Sequence, residues 1–257
     1  MKVTNAVKRI LKKVVAVLGY EIVRYRAPGS GALPSDISTD DAEILKRIAG
    51  FTMTGIDRQI ALIHAVRHVV RSGVSGCFVE CGVWRGGSAM AIALTLAQEG
   101  ETDRHLYLFD TFEGMSPPTA DDETFGGMQA SDLMSSTDRT GGVWCYADLN
   151  DVRTNMQSTS YPMENVHFVK GQVESTIPSR APADRIALLR LDTDWYESTK
   201  HELMHLFPQL GEGGILIIDD YGHWQGAKKA VDEFFTRHGK KYFLHRIDYT
   251  GRLLVKH

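Results

Sequence analysis

The run Phe78-Val79-Glu80-Cys81-Gly82-Val83-Trp84-Arg85-Gly86-Gly87-Ser88 constrains this chain more than any other stretch: a short apolar segment, an acid, a glycine-rich turn, then an Ala- and Leu-rich stretch over 89–97. Such a succession predicts a buried strand that turns tightly into a helix. It is the opening unit of an open α/β sheet, a fold that binds ligands at the carboxyl ends of its strands. Gly82, Gly86 and Gly87 are expected to leave room for a ligand against the backbone, and Ser88 to cap the helix. The turn is not G-x-G-x-x-G, because Glu80 stands where the first glycine would be. A carboxylate there repels a pyrophosphate and attracts the ammonium of a methionine moiety, which favours S-adenosylmethionine over NAD.

The same alternation continues along the chain. Ile56, Ile60, Ile63, Val66 and Val70 share one face of a helix predicted over 56–70. Strands are predicted over 77–80, 105–110, 166–170, 186–192 and 214–219, and helices over 149–156, 198–210 and 227–238. That order implies a mostly parallel sheet with helices on both faces. The last strands, over 242–247 and 253–256 around Tyr249-Thr250-Gly251, read as an antiparallel hairpin. Such an ending is unusual for a nicotinamide-binding dehydrogenase and suits a class I methyltransferase, whose seventh strand runs against the others.

Residues 31–257 are long enough for one large domain, and 43% hydrophobic content can build its core. Ahead of it, 1–30 divides into a basic amphipathic helix over 1–26 and a linker. Contact with an anionic membrane face or a partner subunit, and packing on its own domain, both stand open for that helix. A net charge of -3 gives no field that favours nucleic acid. Cys77, Cys81 and Cys145 form no paired framework, and no apolar run reaches the ~20 residues of a membrane span, so a cytoplasmic, reducing setting is expected. The polar stretch 112–142 is long for a connection and is expected to be a substrate lid.

Acids recur where strands end. Asp110 is placed to accept hydrogen bonds from ribose hydroxyls, with Thr111 beside it and Phe112 near where an adenine could stack. Asp192, Asp219 and Asp220 end two neighbouring apolar strands, and their mutual repulsion calls for a cation. All-oxygen ligands select a hard ion, Mg²⁺ first, with Mn²⁺ and Ca²⁺ left open. His201-Glu202-Leu203-Met204-His205 matches the zinc-peptidase pattern H-E-x-x-H. An apolar stripe of Leu203, Met204, Leu206, Phe207 and Leu210 is expected to turn His201, Glu202 and His205 to solvent, making the match a coincidence. His223, just past the acidic pair, is a candidate substrate contact.

Taken together, Thr52-Met53-Thr54-Gly55, the glycine turn, Asp110-Thr111-Phe112-Glu113-Gly114, Val169-Lys170-Gly171-Gln172-Val173-Glu174, Arg190-Leu191-Asp192 and Ile217-Ile218-Asp219-Asp220-Tyr221 resemble the macrocin and mycinamicin O-methyltransferase (TylF/MycF) family. The resemblance runs from about Thr52 to the C-terminus. It implies a Rossmann-like class I methyltransferase, S-adenosyl-L-methionine as methyl donor, Mg²⁺ as cofactor, a sugar hydroxyl of a small-molecule or glycan acceptor, and a homo-oligomer. It also implies Asp192, Asp219 and Asp220 as metal ligands, with Asp192 as base. Glu80 and Gly82 would hold the methionine end, Asp110 the ribose and Gln172 the adenine region, with Thr52 and Met53 closing over the donor. The 112–142 stretch carries no His to match the one in the family's substrate loop. Catechol-type methylation and NAD-linked oxidoreduction are the alternatives. No lysine shortly follows Asp192 to act as a catechol enzyme's base, which favours a sugar or polyol.

Overall fold

The computed structural model describes residues 33–138 and 142–257. Its strands are β1 (Cys77–Cys81), β2 (Leu106–Asp110), β3 (Val166–Lys170), β4 (Ile186–Leu191), β5 (Leu210–Ile218), β6 (His245–Arg246) and β7 (Arg252–Val255). The helices are α1 (Thr39–Ile48), α2 (Ile56–Arg71), α3 (Gly87–Gln98), α4 (Ala130–Ser135), α5 (Leu149–Gln157), α6 (Val173–Thr176), α7 (Tyr196–Leu206) and α8 (Gln225–His238). The strands form one seven-stranded sheet in the order β3-β2-β1-β4-β5-β7-β6. Strands β1 to β5 pair in parallel, whereas β7 runs antiparallel to both β5 and β6. The expected class I methyltransferase architecture is therefore present, with its antiparallel C-terminal strands.

Why these strands lie in the middle follows from their composition. β1 and β4 are buried along their whole length, as parallel strands covered on both faces must be. Cys77, Val79, Cys81, Leu189 and Leu191 pack with Leu203, Leu206 and Phe207 of the α7 side and Val231 of α8. The alternate positions Glu80 and Arg190 therefore face the opposite layer. Helix α3 is buried from Gly87 to Leu96, which its nearly all-apolar sequence requires.

Several local expectations give way. Ser88 is not the cap of α3: Gly86 holds the N-cap position at φ 86° and Ser88 lies inside the helix. A helix predicted to run to 210 ends at Leu206, where a 3-10 turn over Phe207–Gln209 takes over at Pro208. Helix α1 was not anticipated, although Ser38 caps it by accepting from Asp41 N at 3.1 Å. Nor is 112–138 a loose polar loop. It contains α4, and Ala130 and Met134 pack with Trp195, Trp224 and Ala227.

Backbone contacts divide the chain into residues 1–37 and Ser38–His257. Of the first unit only 33–37 are described, a turn in which Ile37 N donates to Pro34 O at 3.1 Å. The basic helix expected over 1–26 and its linker lie outside the described residues. No helix among the described residues is long and apolar enough to cross a membrane.

Candidate active site

The carboxyl ends of β1, β2, β4 and β5 open into a cavity of about 370 Å³. Of the residues singled out from the sequence, Thr52, Met53, Gly82, Ser88, Asp110, Thr111, Gln172, Asp192, Asp219 and Asp220 line it. Glu80 and Phe112 do not. Phe112 is 2% exposed, against Phe168 at a ring separation of 6.3 Å, so it belongs to the core and not to an adenine face.

Local backbone explains the donor side. At φ 80°, Gly82 lies so close to the β4 end that a Cβ would sit 2.0 Å from Asp192 O. A Cβ on Gly87 would fall 2.4 Å from Phe51 O. These glycines therefore make room for the protein's own backbone, not for the ligand, and they bring the Phe51 to Thr54 strap and the Asp192 turn up to the cavity. Asp110 accepts from Val83 N at 2.6 Å and Phe112 N at 2.6 Å, which fixes the turn around it. Burial raises its pKa while those backbone donors oppose the rise. Trp84 N at 3.2 Å and Thr111 Oγ1 at 3.5 Å also donate to it, so its roughly four lone-pair sites are taken and a ribose hydroxyl would have to replace the long Thr111 contact.

Under the cavity floor lies an ion-pair network that the sequence reading missed. Glu80 and Arg190 are direct partners in the β1–β4 register, and Arg190 Nη1 meets Glu80 Oε1 at 2.5 Å. Arg190 Nη2 also reaches Asp192 Oδ2 at 2.7 Å and Asp219 Oδ1 at 3.0 Å. Arg58, from α2, bonds Asp219 Oδ2 and lies 3.1 Å from Asp248. Burial opposes the charge of both arginines, yet the acids around them raise both pKa values. Burial drives Glu80 up to about 7 even against Arg190's pull. A lone Arg in the apolar run of β4 and a lone Glu in β1 were the available signal, since buried charges must be paired.

The acids do not gather as expected. Both oxygens of Asp219 are taken by arginines, while Asp194 stands with Asp192 and Asp220, one carboxylate oxygen of each lying within 4.8 Å of the others. Burial and neighbouring acids raise Asp192 and Asp220 well above the carboxylate range and put Asp194 at about 7. Asp220 Oδ2 is buried without a hydrogen-bond partner. Three oxygen donors that repel one another, one of them unsatisfied, fit a hard divalent cation. Asp194 also sits at φ 67°, a strained conformation for a non-glycine residue and common at functional sites.

Glu202 corrects the reading of the H-E-x-x-H run. It is fully buried while Met204 is 55% exposed, so α7 turns Glu202 inward. Its Oε2 accepts from Thr193 Oγ1 at 3.2 Å, directly between Asp192 and Asp194. His201 Nε2 lies 2.9 Å from Ile177 O, and the two histidines hold no metal-ligand geometry with Glu202. His223 does line the cavity, as does Cys145, whose thiol burial and nearby acids push upward and out of the reactive range.

Residues 37–256 match the family model described as macrocin-O-methyltransferase (TylF). Over 200 residues the chain is 37% identical to the 8-demethyl-8-(2,3-dimethoxy-alpha-L-rhamnosyl)-tetracenomycin-C 4'-O-methyltransferase of Streptomyces olivaceus, covering 78% of this chain and 73% of that one. It is 34% identical over 200 residues to the mycinamicin III 3''-O-methyltransferase of Micromonospora griseorubida, covering 78% and 76%. The solved structure of the O-methyltransferase NovP superposes with a TM-score of 0.70 at 32% identity, over 80% of this chain and 82% of that one. Agreement of sheet, strand-end acids and sequence over nearly the whole chain makes it a member of the macrocin O-methyltransferase (TylF) family, and so an S-adenosylmethionine-dependent O-methyltransferase.

Proposed function

We propose that the enzyme methylates a hydroxyl of a sugar carried on a glycosylated natural product, with a hard divalent cation, Mg²⁺ first, held by Asp192, Asp194 and Asp220. The observation that carries this is the placing of those three carboxylates in the same cavity as the Thr52, Gly82, Asp110 and Gln172 donor side. Relatives named for transfer to rhamnosyl and mycinamicin hydroxyls support the acceptor class.

Charge supports it too. Glu80, Asp192, Asp194, Asp219, Asp220 and Asp248 are six carboxyl groups around two guanidiniums, Arg58 and Arg190, so acids outnumber cations in this network. A divalent ion and a sulfonium would each bring positive charge to that excess of acid. When bound, such an ion would acidify and orient an aliphatic hydroxyl whose own pKa is about that of water, ~15.7.

The protein's own part is alignment and proton removal. The Thr52 strap and the Gly82 turn would hold the donor so that its methyl faces the acids. Arg190 fixes the rotamer of Asp192 through Oδ2, and Arg58 and Arg190 fix Asp219. The sequence reading made Asp192 the base. Asp194, which no arginine or lysine pairs among the described residues, is a second acceptor for the proton beside Asp192, whose basicity Arg190 lowers while burial and the neighbouring acids raise it.

A radiolabelled-donor assay over a panel of glycosylated acceptors, with and without EDTA, tests the proposal. Loss of transfer on chelation and its return with Mg²⁺ is expected; transfer unchanged by EDTA removes the cation. Asp194→Asn should lose turnover while retaining more Mn²⁺ binding than Asp192→Asn, and the reverse order would return the proton to Asp192. Membrane contact through residues 1–26 and homo-oligomer formation are carried forward as proposals, checked by liposome flotation and sedimentation.

A further inference from the structure

Three aromatic side chains stand at the acid end of the cavity, and methyl transfer as derived above uses none of them. His223 and Tyr249 line the wall, joined at 3.0 Å between Tyr249 Oη and His223 Nδ1. Phe125 packs against both, with ring separations of 5.9 Å to His223 and 6.2 Å to Tyr249.

Each ring arrives from a different part of the chain, and main-chain hydrogen bonds set their positions. Phe125 N donates to His223 O at 2.8 Å, and His223 N donates to Asp220 O at 3.0 Å. The turn that presents the Asp220 carboxylate thus also carries the platform. Despite that anchoring, Phe125 is 69% exposed and Tyr249 52% exposed. Large aromatic surface held rigid in water beside a polar pocket marks a place where an apolar surface is received.

Geometry narrows what is received. The rings meet at 64°, 70° and 81°, so they offer no parallel slot for a flat aromatic aglycone. A saturated ring suits them better, because it has a C–H face that can lie on an aromatic ring and hydroxyls at its rim that can reach carboxylates. We infer that Phe125, His223 and Tyr249 form the acceptor-recognition platform, taking the C–H face of the sugar ring while its hydroxyls reach Asp194 and Asp220. This rests on the sugar-hydroxyl function proposed above and adds the residues that select the sugar.

Saturation-transfer NMR on the full chain, with S-adenosylhomocysteine and methyl α-L-rhamnopyranoside as the probe, tests it without turnover. The wild type is expected to transfer saturation to the ring C–H protons. Phe125→Ala and Tyr249→Ala should each weaken the rhamnoside Kd about threefold to tenfold, the range of one aromatic contact. Calorimetric affinity for S-adenosylhomocysteine should stay within about twofold of wild type, which shows that the variants are folded. Rhamnoside affinity unchanged in both variants overturns the platform, as does a wild type that binds S-adenosylhomocysteine but not the rhamnoside. A wild type that binds neither defeats the donor site as well.

Discussion

Two buried glutamates show what single residues contribute. Glu80 is 1% exposed and its neutral form is favoured by burial, so its pKa rises to about 7 from the ordinary glutamate value. The native state therefore binds more protons than the unfolded chain between that ordinary value and about 7, and stability must fall as pH rises through this window. A shift of this size corresponds to about 3 kcal/mol at most. Glu80→Gln cannot ionise, so the stability of wild type relative to the variant should fall by up to that amount between pH 5 and pH 8 in urea unfolding. A pH-independent difference would contradict this. Glu202, whose pKa burial also raises, accepts from Thr193 between two of the site acids. Glu202→Gln keeps an acceptor of the same shape and should keep kcat within a few-fold. Glu202→Ala should cost about 2–3 kcal/mol in unfolding and lower kcat as the Asp192–Asp194 turn loosens. Two isolated charges in apolar strands were the sequence signal for the Glu80–Arg190 pair, but Glu80 was assigned instead to the donor's ammonium. Glu202 was not, because a stripe drawn through Met204 placed it on the wrong side of α7.

At the scale of elements, the parallel strands were legible because a strand covered on both faces must be an almost unbroken apolar run, as Ile186–Leu191 and the second half of β5, 215–218, are. Segment 112–138 was not legible, because its order comes from one buried acid and not from periodicity. Asp122 is fully buried and accepts from Thr119 N at 2.6 Å, Thr119 Oγ1 at 2.9 Å and Tyr196 N at 2.7 Å. It is the pin that ties the segment to the start of α7. Gly226 belongs to the same device, since a Cβ there would lie 2.1 Å from Asp122 Oδ1. Asp122→Ala leaves buried donors unpaired and should destabilise by about 3 kcal/mol or more. Limited proteolysis should then cut first within 112–138, while the parallel strands stay protected in hydrogen exchange. Equal susceptibility of wild type and variant would mean that the aromatic cluster of Trp195 and Trp224 holds the segment without Asp122.

Over the whole molecule, a net charge of only -3 conceals a strong concentration of acid at one end of the sheet. That concentration was foreseen as Asp192, Asp219 and Asp220, but a sequence shows which acids end strands and not which arginines reach them from another layer. Arg58, remote in the chain, removes Asp219 from the group, and a turn at φ 67° brings Asp194 in. Without a cation the remaining repulsion would be relieved by protons: burial and neighbouring charge raise Asp192 and Asp220, and Asp194 is raised to about 7. These raised values oppose ionisation at neutral pH, so a cation that needs carboxylates must displace protons to bind. Its affinity should therefore strengthen as pH rises from 6 to 8. Calorimetry of Mn²⁺ binding in two buffers of different ionisation heat should show proton release on binding near pH 6.5. Asp194→Asn should reduce that release, because it removes the acid whose titration falls nearest this range. Heats identical in the two buffers would show that the three carboxylates are already ionised, with Arg190 and Arg58 alone sufficient to hold the acids together.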